Sequence, residues 1–416
     1  MKMIIKTYTI IATFVLFVCG QDFASGDGTE NNPWIITTKE HLKNVGKYLS
    51  ENHQDKYFKL GGNIVLNGNV SNQWTPIGRS SSVFLGNFDG AGYYINGVYI
   101  DKNSDEQGLF GISGGTIKNL GVVESFIKGR DFVGGLVGYN GGIISNCYST
   151  GNVEGRENVG GLVGESDEII TNSYSTGNVN GEESVGGLVG ENEGIVTNSY
   201  SMANVQGIEM VGGLAGYNDA LIENCYSIGN VHGNINVGGL IGMFNSDYDG
   251  IIKNSYYAIE TSGQNDNDGR GEPKTTAEMR QQSTFLNWDF EKIWSIDAAK
   301  NNGFPYLDLR DYTPIYNIQK TDNLYGIRLT KNIVSESVEI SVIIPNNEKV
   351  VETKFVVYDN VVNIVFSSTE KGDKIIWNLT NNAGRLVANG SYLVIAEVKS
   401  VNEKSYHYSV KLGVKR

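Results

Sequence analysis

Apolar positions in the middle of the chain return with a fixed period. Val133, Val159, Val185, Val211 and Val237 each open the phrase V-G-G-L-x-G, and each lies 26 residues after the last. Every copy continues to an aliphatic pair: Ile143-Ile144, Ile169-Ile170, Ile195-Val196, Leu221-Ile222 and Ile251-Ile252. A polar triplet N-[CS]-Y follows, at Asn146, Asn172, Asn198, Asn224 and Asn254. The first four copies then close with x-N-V-x-G, carrying Val153, Val179, Val205 and Val231. A looser copy precedes them from Gly108 to Gly129, and the last is lengthened within "MFNSDYDG".

A self-similar period of this length belongs to solenoids, propellers and arrays. Helix is disfavoured, because each copy holds several glycines and each costs about 1 kcal/mol in a helix interior relative to alanine. The apolar residues are short β-branched runs between Gly and Asn turns, the pattern of strands. A propeller blade of four strands needs about 40 residues. The repeat instead predicts one coil of a parallel β-solenoid, with three short strands and three turns whose positive-φ corners are supplied by glycine and asparagine. Stacking places Leu136, Leu162, Leu188, Leu214 and Leu240 in one column, with coils about 4.8 Å apart. Asn146, Asn172, Asn198, Asn224 and Asn254 form a second column, whose amides are expected to bond to one another coil after coil. Tyr148, Tyr174, Tyr200, Tyr226 and Tyr256 form a third. Pointing inward it is a core stack; pointing outward it is an aromatic ladder suited to glycan or protein contact.

Open solenoid ends need covers. Residues 38–51 predict an N-terminal cap helix, with Thr37 and Glu40 in capping-box spacing and Leu42, Val45 and Leu49 on one face. Core repeats occupy 108–258, within a solenoid domain spanning 21–312. A C-terminal cap over 259–312 contains a second short helix from Thr276 and an aromatic plug of Trp288, Phe290, Trp294, Phe304 and Tyr306. After a linker at 313–323, glycine thins out. Seven short strands in 324–416 then predict an antiparallel sandwich: Tyr325–Thr330, Val338–Ile344, Val350–Tyr358, Val361–Phe366, Lys374–Leu379, Tyr392–Val398 and Tyr406–Leu412. The fold class is all-β.

The start of the chain reads as a signal peptide over 1–20. Lys2 and Lys6 precede the apolar run Tyr8 to Gly20, and polar residues follow. A rival reading makes Cys19 an acylated lipoprotein cysteine. No segment is long and apolar enough to span a bilayer. The formal net charge of −13 counts against nucleic acid or an anionic membrane as partner. Cys147 and Cys225 remain as an exported pair, but they sit at equivalent places three coils apart. That is roughly 14 Å in a stack, against the Cα limit of about 7 Å for a disulfide, so both are expected as free, buried thiols.

Catalytic chemistry is hard to find. His41, His53, His232 and His407 lie in no zinc pattern, and neither a nucleophile elbow nor a phosphate loop is present. Acids recur on the turns at Glu165, Asp167, Glu168, Glu191, Glu193 and Asp219. Glu165 and Glu191 fall at equivalent positions, and two like charges that close repel by roughly 1 kcal/mol in water. Solvated carboxylates are the simpler reading and calcium the rival. "NDNDGRGE" at Asn265 to Glu272 matches a calcium loop only loosely. No other cofactor is implied. The variable turns beginning at Glu154, Asn180, Gln206 and His232 suit partner specificity.

"FDGAGYYINGVYI", "GLFG", "GGTIKNLGVV", "VGGLVGYNGG" and "NCYSTGNV" resemble the GLUG-repeat proteins of bacteria. The resemblance covers Gly26 to about Leu309. It implies a right-handed β-helix in an exported, adhesin-like surface protein. Some relatives carry an immunoglobulin-cleaving metallopeptidase domain, which is absent from this sequence. Trp377, Gly384, Val387, Ala388, Gly390, Ser391 and Tyr392 resemble the immunoglobulin-like module of flagellar hook-cap proteins and of type IX secretion sorting domains. An ordinary sandwich is the alternative. Together these imply a secreted or outer-surface bacterial protein that binds an extracellular glycan or protein, with outer-membrane attachment open. A polysaccharide lyase or hydrolase on the same scaffold is the enzymatic alternative, and a surface-layer component is a third.

Overall fold

The first two regular copies fold into four strands each, one more than the sequence predicts, and in the next two the fourth strand is interrupted, as Tyr200–Ser201 and Asn204–Gln206 and as Tyr226–Ser227 and Val231–His232. In the first regular copy the four are Asp131–Gly134, Val137–Asn140, Ile143–Ser145 and Tyr148–Glu154. The additional corner is Gly135-Leu136, which is too brief to read as a turn. The computed structural model describes residues 22–49, 51–53, 55–245, 250–265, 270–308, 326–329, 333–334, 337–343, 349–358, 364–401 and 405–414. The expected signal segment with Cys19, the expected linker, the four residues 246–249 of the lengthened copy and the acidic centre of the loop matched loosely to calcium loops lie outside them. The chain divides into two compact units, Met1–Tyr312 and Thr313–Arg416.

In the first unit the copies stack in parallel register. Val133 pairs with Val159, Val137 with Val163, Ile144 with Ile170 and Tyr148 with Tyr174. This builds four faces, named here first to fourth in the order of the strands above, with 5, 6, 9 and 12 strands. One coil buries too little to be stable. Stacked, the five column leucines are completely buried, and Val137, Ile144, Val153 and their equivalents complete the interior. A fully buried side chain of this kind contributes about 1.5–3 kcal/mol.

The corners divide their work between two residue types. Asn146 (φ 54°), Asn172 (φ 49°), Asn198 (φ 47°), Asn224 (φ 54°) and Asn254 (φ 44°) hold the left-handed conformation, which asparagine tolerates better than most residues. The glycines of V-G-G-L are not at positive φ, contrary to the expectation that both types make positive-φ corners. They are needed for close approach: a Cβ at Gly161 would lie 2.2 Å from the Gly187 carbonyl oxygen, and one at Gly187 2.2 Å from that of Gly213.

Cys147 and Cys225 are free and buried. The Cys147 backbone N–H donates to Ser173 Oγ at 3.1 Å, as that of Ser173 does to Ser199 Oγ at 3.1 Å. The thiols thus stand in a column otherwise filled by serine. Burial pushes both up to about 12.

The caps depart from their sequence predictions. The N-terminal helix is only Lys39–Asn44, continued by a 3-10 turn at Val45–Lys47. Its cap is Thr38, whose hydroxyl accepts from the His41 N–H at 3.2 Å, while Glu40 pairs with Lys43 instead of closing a box on Thr37. Leu42 and Val45 are completely buried, as their spacing requires. At the other end, the helix expected from Thr276 is two 3-10 turns, Glu278–Arg280 and Gln282–Thr284. A short helix at Ile259–Ser262, ended by left-handed Gly263, was not legible in the sequence. The last coil is covered by Glu272–Lys274, which pairs with Tyr256–Ala258, and by Arg270 Nη1, which donates to the Gly242 carbonyl at 2.8 Å. The aromatic plug lies elsewhere, against the fourth face.

The second unit holds two sheets. One has strands Gly326–Leu329, Val338–Ile343 and Lys374–Trp377; the other has Ile333–Val334, Val350–Tyr358, Ile364–Glu370, Gly390–Ser400 and Ser405–Val414. Val338, Ile340 and Trp377 of the first share a core with Phe355, Val394 and Ala396 of the second. Tyr392 meets Trp377 edge-on at 5.9 Å and donates its hydroxyl to the Ala388 carbonyl at 2.8 Å.

Candidate functional site

The tyrosine column resolves by strand parity. Ser149 and Ser175 of the fourth face are buried inside the coil, and Ser175 Oγ donates to the Gly187 carbonyl at 2.5 Å. Their neighbours Tyr148 and Tyr174 therefore point outward. Tyr148, Tyr174, Tyr200 and Tyr226 stack at centroid distances of 5.0, 4.8 and 4.9 Å, with their rings within 5° of parallel. Only the first two are partly open to solvent. Tyr200, Tyr226 and Tyr256 form a second core with Met279, Phe285, Trp288, Trp294 and Phe304. Tyr226 donates its hydroxyl to the Pro305 carbonyl at 2.5 Å and accepts from Asn301 Nδ2 at 2.9 Å, while Tyr256 turns edge-on to Phe285. Burial raises the phenols progressively, to about 12 at Tyr174 and higher at Tyr200 and Tyr226.

The corner asparagines act through their backbone. Asn146 Nδ2 donates to Asn119 Oδ1 at 3.0 Å, and Asn119 in turn to Asp89 at 2.9 Å. Among the described residues no side-chain hydrogen bond joins Asn172, Asn198, Asn224 and Asn254, and both polar side-chain atoms of Asn172 are buried without a partner. The continuous amide ladder stands six residues further on. Asn178 Nδ2 donates to Asn152 Oδ1 at 2.8 Å, Asn204 Nδ2 to Asn178 Oδ1 at 3.2 Å, and the Asn230 backbone N–H to Asn204 Oδ1 at 3.3 Å. All four are exposed on the fourth face. The sequence carried this signal in x-N-V-x-G, where attention goes to the valine.

This ladder floors a groove of about 420 Å³ whose far side is the variable turn: Glu154, Asn180, Gln206 and His232. Asn204 also borders a larger cleft of about 820 Å³ under the C-terminal cap, lined by Met202, Ile228, Arg280, Asp297, Asn302 and Phe304. The Arg280 guanidinium lies over the Phe304 ring, 5.0 Å from its centroid. The inner amides, Asn178 and Asn204, each spend one donor and one acceptor on their neighbours, which leaves another of each for a ligand.

A second cluster lies on the second face. Glu165 and Glu191 are register partners on adjacent coils, and Asn158 Nδ2 donates to both, at 2.5 and 2.7 Å. Burial first, then the charge of Glu191, raises Glu165 to about 7; burial also raises Glu191. The Tyr139 hydroxyl donates to the Asp167 carboxylate. Asn158 has φ 53°, and sequence reasoning passed over it as one letter of a variable turn. Among the described residues no three His, Cys, Asp or Glu side chains are grouped to hold a metal.

The GLUG motif model matches residues 133–154, 155–180 and 207–231. A protein of Evansella cellulosilytica designated a Gly-rich membrane protein is 37% identical over 133 residues, which is 30% of this chain and 15% of that protein. Halomucin of Haloquadratum walsbyi is 31% identical over 132 residues, 30% of this chain and 1% of its own length. The chain thus spans a small part of either relative. A crystal structure from Bacteroides ovatus, designated an immunoglobulin A1 protease, superposes with a TM-score of 0.54 at 22% identity, covering 69% of this chain and 95% of that one. That likeness is one of fold.

Proposed function

We propose that this GLUG-repeat chain is an exported surface module that binds an extracellular glycan along its fourth face. The observation that carries the reading is the exposed, in-register ladder Asn152–Asn178–Asn204–Asn230, set in a groove on the same face as the half-open rings of Tyr148 and Tyr174. Amide donors and acceptors match sugar hydroxyls, which are both. Successive amides stand about 4.8 Å apart, a rise comparable to one sugar unit, so an extended oligosaccharide can lie along the axis with one unit per coil. The name of one relative, a Gly-rich membrane protein, accords with a surface location, and the apolar leader accords with export. The C-terminal sandwich then serves for sorting or attachment at the outer membrane, and mass spectrometry of the mature protein decides between that and a lipid on Cys19.

A glycan and host-protein array probed with the full chain tests the reading. A polysaccharide hit that weakens about tenfold in N178A/N204A, the loss of roughly 1.4 kcal/mol expected for broken hydrogen bonds, supports it. Binding that is insensitive to these changes, or no binding, removes it. One observation favours a second reading, a glycoside hydrolase. The Glu165 and Glu191 carboxylates bridged by Asn158, one of them raised to about 7, resemble an acid and nucleophile pair. Polysaccharide turnover abolished by E165Q or E191Q would establish it over the first.

A further inference from the structure

Two arginines on the solenoid turns answer to acids. Arg130 pairs with Asp105 at 2.5 Å, and Arg156 with Asp131 at 2.5 Å and Glu157 at 3.0 Å. Arg79 does not. Its Nε is buried without a hydrogen-bond partner, and its guanidinium makes no ion pair among the described residues. The acid held by the neighbouring residue, Glu106, accepts from the Ser80 backbone N–H at 3.0 Å. Lys102 is close by and makes no ion pair among the described residues: its Nζ donates to the Trp74 carbonyl, at 3.4 Å. Burial and then the Arg79 charge hold its pKa below the ordinary lysine value. A buried donor on a cation is destabilising when unpaired, so stability alone does not explain this arrangement.

The surroundings form a pocket of about 420 Å³ between the cap helix and the Gln73–Ser82 loop, within the range of about 300–1,000 Å³ typical of ligand sites. Its walls are apolar at Leu49, Trp74, Pro76 and Ile77, and polar at Gln73 and Ser81. The loop is held rigidly. Arg79 and Ser82 exchange backbone hydrogen bonds at 3.0 and 2.8 Å, and Ser82 Oγ donates to the Leu49 carbonyl at 3.3 Å. The Lys43 ammonium at the rim is already paired with Glu40.

We propose that Arg79, supported by Lys102, is an oxyanion subsite that takes the carboxylate or sulfate of an acidic sugar, with the sugar ring against the Leu49–Trp74–Pro76 wall. A guanidinium offers two parallel donors to either group. The subsite lies at the N-terminal end of the solenoid, away from the asparagine ladder, and does not depend on what the fourth face binds.

Differential scanning calorimetry of the full chain, with concentration series of glucuronate, inorganic sulfate and glucose, tests this. Glucuronate or sulfate should raise Tm with a saturating dependence, and glucose should not; the steeper of the two anions identifies the group recognised. In R79Q the apparent affinity should fall at least about tenfold, the loss expected of a charge-assisted pair, and in K102Q by less. Ligand-free R79Q should melt no lower than the parent, because it removes an unmatched cation. The same rise in parent and R79Q would be a general salt effect and would overturn the proposal. So would a ligand-free R79Q destabilised as though it had lost a structural ion pair. N178A should respond to the anions like the parent, which separates this site from the fourth face.

Discussion

The two ends of the tyrosine file carry the same residue in the same register and do different work. At Tyr148 the ring is half open, with a stacking partner on one rung. At Tyr226 it is completely buried, stacked on Tyr200, flanked by Trp288 and Trp294 at 6.1 and 5.9 Å, and tied by its hydroxyl to the cap. The coil dictates that every ring points outward. What lies outside is decided by residues some 60 positions later, at Phe285 to Phe304. One repeated side chain thus makes a solvent-facing surface at one end and a second hydrophobic core at the other.

Substitutions can break this comparison. The largest effect is expected for Tyr226→Ala. Losing a buried aromatic with two hydrogen bonds should cost about 3–5 kcal/mol by chemical denaturation of the full chain, whereas Tyr148→Ala should stay within about 1 kcal/mol. Equal costs would mean that the cap does not bear on the file. Next come the two asparagine files. Asn198→Ala places alanine at φ 47° and should cost about 1–2 kcal/mol, with Asn198→Gly costing less. Asn178→Ala, on the exposed ladder, should cost no more than about 0.5 kcal/mol.

Glu165 sharpens the contrast between the second face and the fourth. Its folded value of about 7 exceeds the ordinary 4.5, so the fold prefers the protonated acid. The stability it contributes is fully present below pH 4.5 and is lost as pH rises through about 7. Glu165→Gln should flatten stability across that window and stabilise the protein at pH 8. The gain should be of the order of 1 kcal/mol, discounted from the full shift because the carboxylate still meets water. A pH profile unchanged by the substitution would contradict the burial. The smallest effect is expected for Cys147→Ser, within about 0.5 kcal/mol, because Ser173 and Ser199 fill the same column and already make the same bonds.

Much of this was legible in the residues. The 26-residue period, the leucine column and the free thiols follow from in-register stacking, and the seven expected strands of the C-terminal unit all have counterparts. Four faces were counted as three because a Gly-Leu corner leaves no turn signature. The V-G-G glycines were assigned to unusual φ when their task is to let coils approach. The amide ladder was expected at Asn146 and its equivalents because asparagines recur there. A left-handed corner uses an asparagine for its backbone, whereas the extended strand at Asn152 sets side chains one above another.

Periodicity by itself determined that the chain stacks and which residues share a column, because parallel pairing makes a sequence period into a spatial one. It did not determine what each column faces. Whether a tyrosine meets water or a tryptophan, whether two glutamates share one amide, and whether an arginine finds an acid all depend on residues that do not repeat. Those residues come together only after the chain has folded, and burial, hydrogen bonding and charge act on that arrangement.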